Sequence, residues 1–347
     1  MKLKFLDTIQ KAFDKALLVE VDLDSMNYII FSDHHRGTGD RADDHRFASA
    51  TYEQALSYYE QSDATLVLLG DVEELWENPI HSVLEYYQEI TSQEMKFDED
   101  SRYLRIWGNH DAEWRSRKFV KRYLGSERPA HEAIKLQVMD EGRLLGHIFL
   151  IHGHQGSTFS DEYARFSKFF VRYFWRHFQR IFNKPLDTAA TSTRMRSKHD
   201  RKYYGWARGH NHDVIVITGH SHEPVFNSFT YADRLRVDLS RLSEKERAGI
   251  LTPREAASLD EVRKRTDALT KHDATLLNPG GRAIPCYFNT GCCSFSDGEI
   301  TGIEIVDREI RLIKWTPDGQ RKIIQKERLK RIFELLDLDA QITSGTE

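Results

Sequence analysis

Five short apolar runs in this chain each break off into a cluster of Asp, Asn or His, and this recurrence restricts the fold more than any other feature. The runs are Tyr28 to Phe31, Thr65 to Leu69, Tyr103 to Trp107, His147 to Ile151 and Val214 to Thr218. Their length and apolar, often β-branched content predict buried strands. Helical patterns over Phe47 to Tyr59 and His81 to Thr91 lie between the early runs, the alternation of an α/β domain. Asp33 and His35 follow the first run, Asp71 the second, and Asn109, His110 and Asp111 the third. His152 follows the fourth, and His220 and His222 the fifth. Ligands of open α/β sheets gather outside the carboxyl ends of the strands, so one sheet system is expected to deliver all of these groups to one edge.

Imidazole suits Zn, Mn, Fe or Ni, whereas carboxylate and amide oxygens favour the harder ions. Seven such ligands exceed what one tetrahedral ion uses. A carboxylate bridging two ions about 3.5 to 4 Å apart resolves the count and can clamp both oxygens of an in-line displacement. The i, i+2 spacing of Asp33 with His35 and of His220 with His222 predicts extended backbone, with His34 and Ser221 pointing away. His210 and His212 precede the fifth run. They are expected at its far end, about 17 Å from the cluster, as surface or loop residues.

At 347 residues the chain can bury a large core as a single domain with insertions. Two stretches interrupt the strand rhythm: an aromatic, basic, helical segment over 156–209 and a charged one over 227–284, with a helix near Pro253 to Thr270. Met1 to Leu23 reads as an amphipathic helix. Cys286 to Thr290, Glu299 to Val306 and Ile310 to Thr316 read as an antiparallel meander, and 321–347 as a C-terminal helix and tail. No run approaches the roughly 20 apolar residues of a membrane span. A formal net charge of −4 gives no global field for nucleic acid. Three cysteines without a metal-type pair predict buried packing in a reducing cytoplasm.

The ordered set Asp-x-His, Gly-Asp, Gly-Asn-His-Asp, His-Gly and Gly-His-x-His, from Tyr28 to Val306, resembles the calcineurin-like metallophosphoesterase superfamily. The resemblance implies a four-layer α/β/β/α sandwich of two facing sheets, with 156–209 as a helical cap. It implies that Asp33, His35, Asp71 and His222 hold one metal. Asp71, Asn109, His152 and His220 would hold the other, with Asp71 as the bridge and Mn favoured. His110 then acts on the leaving oxygen and Asp111 orients it, a role suited to an imidazole titrating near working pH. The expected reaction is hydrolysis of a phosphodiester, pyrophosphate or phosphomonoester by a hydroxide bridging the two ions. Arg36, Arg115 and Arg117 are candidate phosphate contacts, and His154 a substrate contact or a support for His152. Glu73 and Glu74 are expected to start or cap a helix.

The substrate clue is the first insertion. Arg165, Lys168, Arg172, Arg176 and Arg180 alternate with Phe166, Phe170, Tyr173, Phe174 and Phe178 at helical spacing. This reads either as a packed helix with a solvated face or as a cap that takes an apolar ester or rests on anionic lipid through 161–184. That insert, Gly-Asp-Val-Glu-Glu-Leu-Trp around Asp71, and Arg194 to Lys198 are similar to UDP-diacylglucosamine hydrolases. Those enzymes cleave a pyrophosphate at the membrane surface and carry Arg where this chain has His110. The reading therefore includes a lipid- or nucleotide-linked ester and an inner-membrane surface. The contrasting reading is a non-catalytic metal-binding scaffold that docks partners or lipid through the cap.

Overall fold

The computed structural model describes residues 2–155, 193–210, 213–228, 231–272 and 285–344. Its strands, β1 (Leu17–Asp22), β2 (Asn27–Phe31), β3 (Thr65–Leu69), β4 (Tyr103–Ile106), β5 (Ala133–Asp140), β6 (Arg143–Ile151), β7 (Val214–Thr218), β8 (Tyr287–Asn289), β9 (Ile300–Val306), β10 (Glu309–Trp315) and β11 (Arg321–Arg328), form two mixed sheets. One has the order β11-β10-β9-β2-β3-β4 and the other β1-β5-β6-β7-β8. Strands β2, β3 and β4 run parallel, and β9 closes antiparallel on β2. In the second sheet β6, β7 and β8 are parallel.

Period-2 alternation builds the layers. In β3, Val67 and Leu69 join the large core that includes strands of both sheets, while Leu66 and Leu68 join a second core. That second core packs helices α2 (Ser49–Gln61), α3 (Ile80–Tyr86) and α4 (Gln88–Glu99) against the six-stranded sheet through Tyr52, Leu56, Val83 and Phe97. On the other sheet lie α1 (Lys2–Lys15), α6 (Thr193–His210) and α9 (Leu329–Ser344), through Phe5, Trp206 and Phe333. A short α5 (Arg117–Leu124) ends at Gly125 in the left-handed conformation. Full burial of each large apolar side chain is worth roughly 1.5 to 3 kcal/mol, so the four layers rest mainly on these two cores. The expected α/β/β/α sandwich is the observed one.

Several sequence expectations change. The motif-bearing strands are divided between sheets, β2, β3 and β4 in one and β6 and β7 in the other. The N-terminal helix stops at Lys15, because Leu17 to Asp22 alternates in burial as a strand paired with β5. Residues 321–328 are a strand, and the C-terminal helix begins at Leu329. Pairing with β10 decides this, since β11 is an exposed edge whose sequence carries little strand signal. The strand after Pro285 is not part of the meander and runs parallel to β7. His81 to Thr91 spans two helices that meet at Tyr87.

In the second insertion, α7 (Tyr231–Arg247) packs on α8 (Pro253–His272), which covers the expected helix near Pro253. Thr252 and Glu255 cap α8 reciprocally: Glu255 N donates to Thr252 Oγ1 and Thr252 N to Glu255 Oε2. The lipid-facing reading of 161–184 lies outside the described residues, as does His212. No described helix is long and apolar enough to cross a membrane.

Candidate metal centre

The carboxyl ends of β2, β3, β4, β6 and β7 meet where the two sheets face each other. His222 Nε2 lies 3.3 Å from Asp33 Oδ1, and 3.1 Å from His35 Nε2. Beside this trio, His152 Nε2 lies 3.0 Å from Asp71 Oδ2, with the His220 ring 5.2 Å from that of His152. In the trio Asp33, His35 and His222, and in the trio Asp71, His152 and His220, the ligand-type atoms lie within 4.8 Å of one another. Asp71 Oδ2 is also 4.0 Å from His35 Nε2, so one carboxylate faces both trios.

The local backbone is shaped for this convergence. Asp33, His35, Asp71, His220 and His222 all have left-handed φ between 51° and 66°. The paired motifs therefore carry left-handed residues at both ligand positions and do not have the extended backbone that their spacing suggested. Such conformations cost of order 1 to 3 kcal/mol each and persist where surrounding contacts over-determine them. Gly70, at φ 86°, must be glycine, since a Cβ there would lie 2.6 Å from His152 Nδ1. His34 and Ser221 do point away: His34 packs on His45 and Tyr52, and Ser221 Oγ accepts from Asn289 Nδ2 at 3.1 Å.

The donor set fits divalent cations. Asp33 Oδ1, Asn109 Oδ1 and His152 Nε2 are buried without a hydrogen-bond partner among the described residues. His152 Nδ1 donates to the Leu69 carbonyl at 2.8 Å, which leaves the Nε2 lone pair facing Asp71. Acceptor therefore faces acceptor, an arrangement that a proton or a cation must satisfy. Electrostatics agree. Burial raises the Asp71 pKa, but His152 and His110 outweigh it and hold the carboxylate well below its ordinary range. Burial lowers His35 and His152, yet the surrounding carboxylates drive them up to about 10 and about 9. His220 falls well below its ordinary value through burial and the neighbouring His152.

Around His110 the assignment changes. Asp111 accepts from Gly108 N at 2.6 Å and Val72 N at 3.0 Å, so it ties two loops together and does not orient the imidazole. The carboxylate beside His110 is Glu74, whose Oε2 lies 2.6 Å from His110 Nδ1 and 3.0 Å from His35 Nδ1. Burial raises Glu74, but these two histidines bring it down to about 2. Neither Glu73 nor Glu74 starts a helix: the next one begins at Ile80, and Glu73 pairs with Arg105 and accepts from Trp114 Nε1 at 2.7 Å. The sequence reading gave Glu74 to a helix start, because its place beside the histidines has meaning only once His35 and His110 are brought to it.

The candidate phosphate contacts separate. Arg36 is buried and forks onto Glu94, donating from Nη1 to Oε2 at 3.2 Å and from Nη2 to Oε1, so it does not face substrate. Arg115 and Arg117 are exposed, and Arg117 lines a cavity of about 330 Å³ with Val120, Leu124 and His131. His154 packs its ring 5.5 Å from His152 and 5.4 Å from Trp107, and burial followed by His152 pushes it down to about 3. His199 was not singled out by any motif, yet its Nε2 donates to the Gly153 carbonyl at 2.9 Å and its ring lies 5.6 Å from that of His220. The three cysteines are buried and form no disulfide among the described residues, and the packing expected of Cys292 and Cys293 is observed.

An α/β sandwich with carboxylates and imidazoles gathered at its strand ends is the frame of a metal-dependent hydrolase. The family model for calcineurin-like phosphoesterases matches residues 26–224, more than half of the sequence, and the chain belongs to that family. It is also similar to a solved structure from Streptococcus pneumoniae TIGR4, a conserved uncharacterised protein described as a predicted phosphoesterase. That match has 12% identity and a TM-score of 0.31, covering 86% of this chain and 97% of that one. No curated protein matches.

Proposed function

We propose that this phosphoesterase hydrolyses a phosphodiester, pyrophosphate or phosphomonoester with two divalent cations held side by side. The observation that carries the reading is the pair of adjacent trios, Asp33 with His35 and His222, and Asp71 with His152 and His220, sharing the Asp71 carboxylate. Asn109, whose Oδ1 is buried without a hydrogen-bond partner among the described residues, would complete the second set. Bound cations would lower the pKa of water and neutralise charge on phosphoryl oxygens.

The chain's own groups do the rest. His110 is half-buried next to the trios, with Glu74 against Nδ1, which leaves Nε2 to hold a proton for the leaving oxygen. Asp71 Oδ1 accepts from the His110 backbone N–H at 2.8 Å, so the His110 main chain is anchored to the shared carboxylate. Elemental analysis together with turnover of an aryl phosphodiester tests the proposal. Two equivalents of metal and hydrolysis are expected, and Asp71→Asn should reduce both. One equivalent, or metal without hydrolysis of any ester, would refute it. Parallel assays with aryl monoesters and nucleoside diphosphate conjugates then assign the ester class.

A further inference from the structure

The loop that follows β3 grips residues 109 and 110 from several sides. Asp71 Oδ1 accepts the His110 backbone N–H, and Leu75 N donates to the His110 carbonyl at 3.1 Å. Glu74 Oε2 lies 2.6 Å from His110 Nδ1. Trp76 supplies what these contacts lack. Its indole lies flat on the His110 imidazole, with centroids 4.1 Å apart and planes at 21°. Its Nε1 donates to the Asn109 carbonyl at 2.7 Å, and its backbone N–H to Glu74 Oε1 at 3.3 Å. His35 closes on the ring edge-to-face at 4.7 Å.

A half-buried imidazole keeps a broad χ2 and would swing if held at one nitrogen alone. The flat indole removes that freedom, because rotation of the ring about χ2 would drive its edge into the indole. From this geometry we propose that Trp76 is a positioning residue: it fixes the His110 imidazole so that Nε2 presents its proton to the leaving oxygen, and its Nε1 bond fixes the Asn109 backbone in the same motion. The inference rests on the hydrolytic reading above.

Leaving groups separate positioning from mere support, since a basic phenolate needs a proton in the transition state and 4-nitrophenolate needs almost none. The test uses the full, metal-loaded chain and a series of aryl methyl phosphates, from 4-nitrophenyl to 4-methoxyphenyl, in which the aryl oxide is the better leaving group throughout. Trp76→Leu is expected to lose about 10-fold or more in kcat on the 4-methoxyphenyl ester and less than about 2-fold on the 4-nitrophenyl ester, a part of the roughly 10² to 10⁴-fold that proton transfer contributes. With rates expressed per bound metal, Trp76→Phe, which keeps a flat ring but lacks Nε1, should recover most of the loss. Equal losses along the series, no loss, or a Phe variant as poor as the Leu variant would overturn the proposal. Independently of turnover, the His110 ring protons in a ¹H–¹³C spectrum should sit upfield in wild type and in Trp76→Phe and move downfield in Trp76→Leu; unshifted protons in wild type would refute the stack itself. A shifted ring in a wild type that binds metal but cleaves no ester would sink the hydrolytic reading, and the positioning role with it.

Discussion

Asp71 and Glu74 stand three residues apart and divide the labour at the centre. Asp71 faces both ligand trios, whereas Glu74 lies behind them, against the outer nitrogens of His35 and His110. Removing the charge of Glu74 should therefore disturb a candidate ligand and a candidate proton donor together. Glu74→Gln is expected to weaken metal retention and lower turnover by about 10- to 100-fold, the range found for groups that orient ligands from behind, as read by metal titration and steady-state kinetics. His110→Ala should keep the metal and lose about 10² to 10⁴-fold in turnover on esters with poor leaving groups, and retention of wild-type rates would discredit its role. Asp111→Asn should act differently, since its two backbone acceptor contacts are structural: the expected loss is in melting temperature before it is in rate.

At the scale of elements, the five ligand-bearing strands were legible because a run of four to nine residues ending in a metal-type cluster is a local pattern. Strand β7 is an example, buried along its whole length and readable from Val-Ile-Val-Ile alone. What was not legible depended on partners far away in sequence. Strand β11 exists through its ladder with β10, and β1 through its parallel pairing with β5. The division of the five strands between two sheets was likewise invisible, because each strand carries the same signal whichever sheet receives it. Of the site, the seven candidate ligands were legible, whereas Glu74, Trp76 and His199 were not, since their roles arise from contacts across loops. The α8 cap belongs to this scale too. Thr252→Ala should cost the helix about 1 kcal/mol and raise amide hydrogen exchange in its first turn, leaving turnover unchanged.

For the whole molecule, acid sensitivity should come in part from a histidine away from the trios. His45 is buried, donates from Nδ1 to the Cys293 carbonyl at 2.7 Å, and is pushed down to about 3 by burial and then by Arg36. The unfolded chain takes up its proton near pH 6.5, and the folded chain only near 3. Its contribution to stability is thus complete above about 6.5 and is lost as pH falls towards 3, at a limiting slope of about 1.4 kcal/mol per pH unit. Unfolding midpoints measured from pH 7 to 4 should show this decline, and His45→Gln should flatten it. An undiminished slope in that variant would contradict the assignment.

The candidate ligands are drawn from the ends of both sheets, with Asp33, His35, Asp71 and Asn109 from one and His152, His220 and His222 from the other. Cations bound there would act as rivets across a seam that otherwise holds through packing and through hydrogen bonds such as His152 Nδ1 to the Leu69 carbonyl and His220 N to Asp33 Oδ2. Slippage of one sheet over the other would have to break coordination first, so metal at about 100 times its dissociation constant should add about 2.7 kcal/mol per bound ion to the free energy of unfolding. A chelated sample should then melt at a lower temperature than the loaded one, still as one body, because a single core spans both sheets.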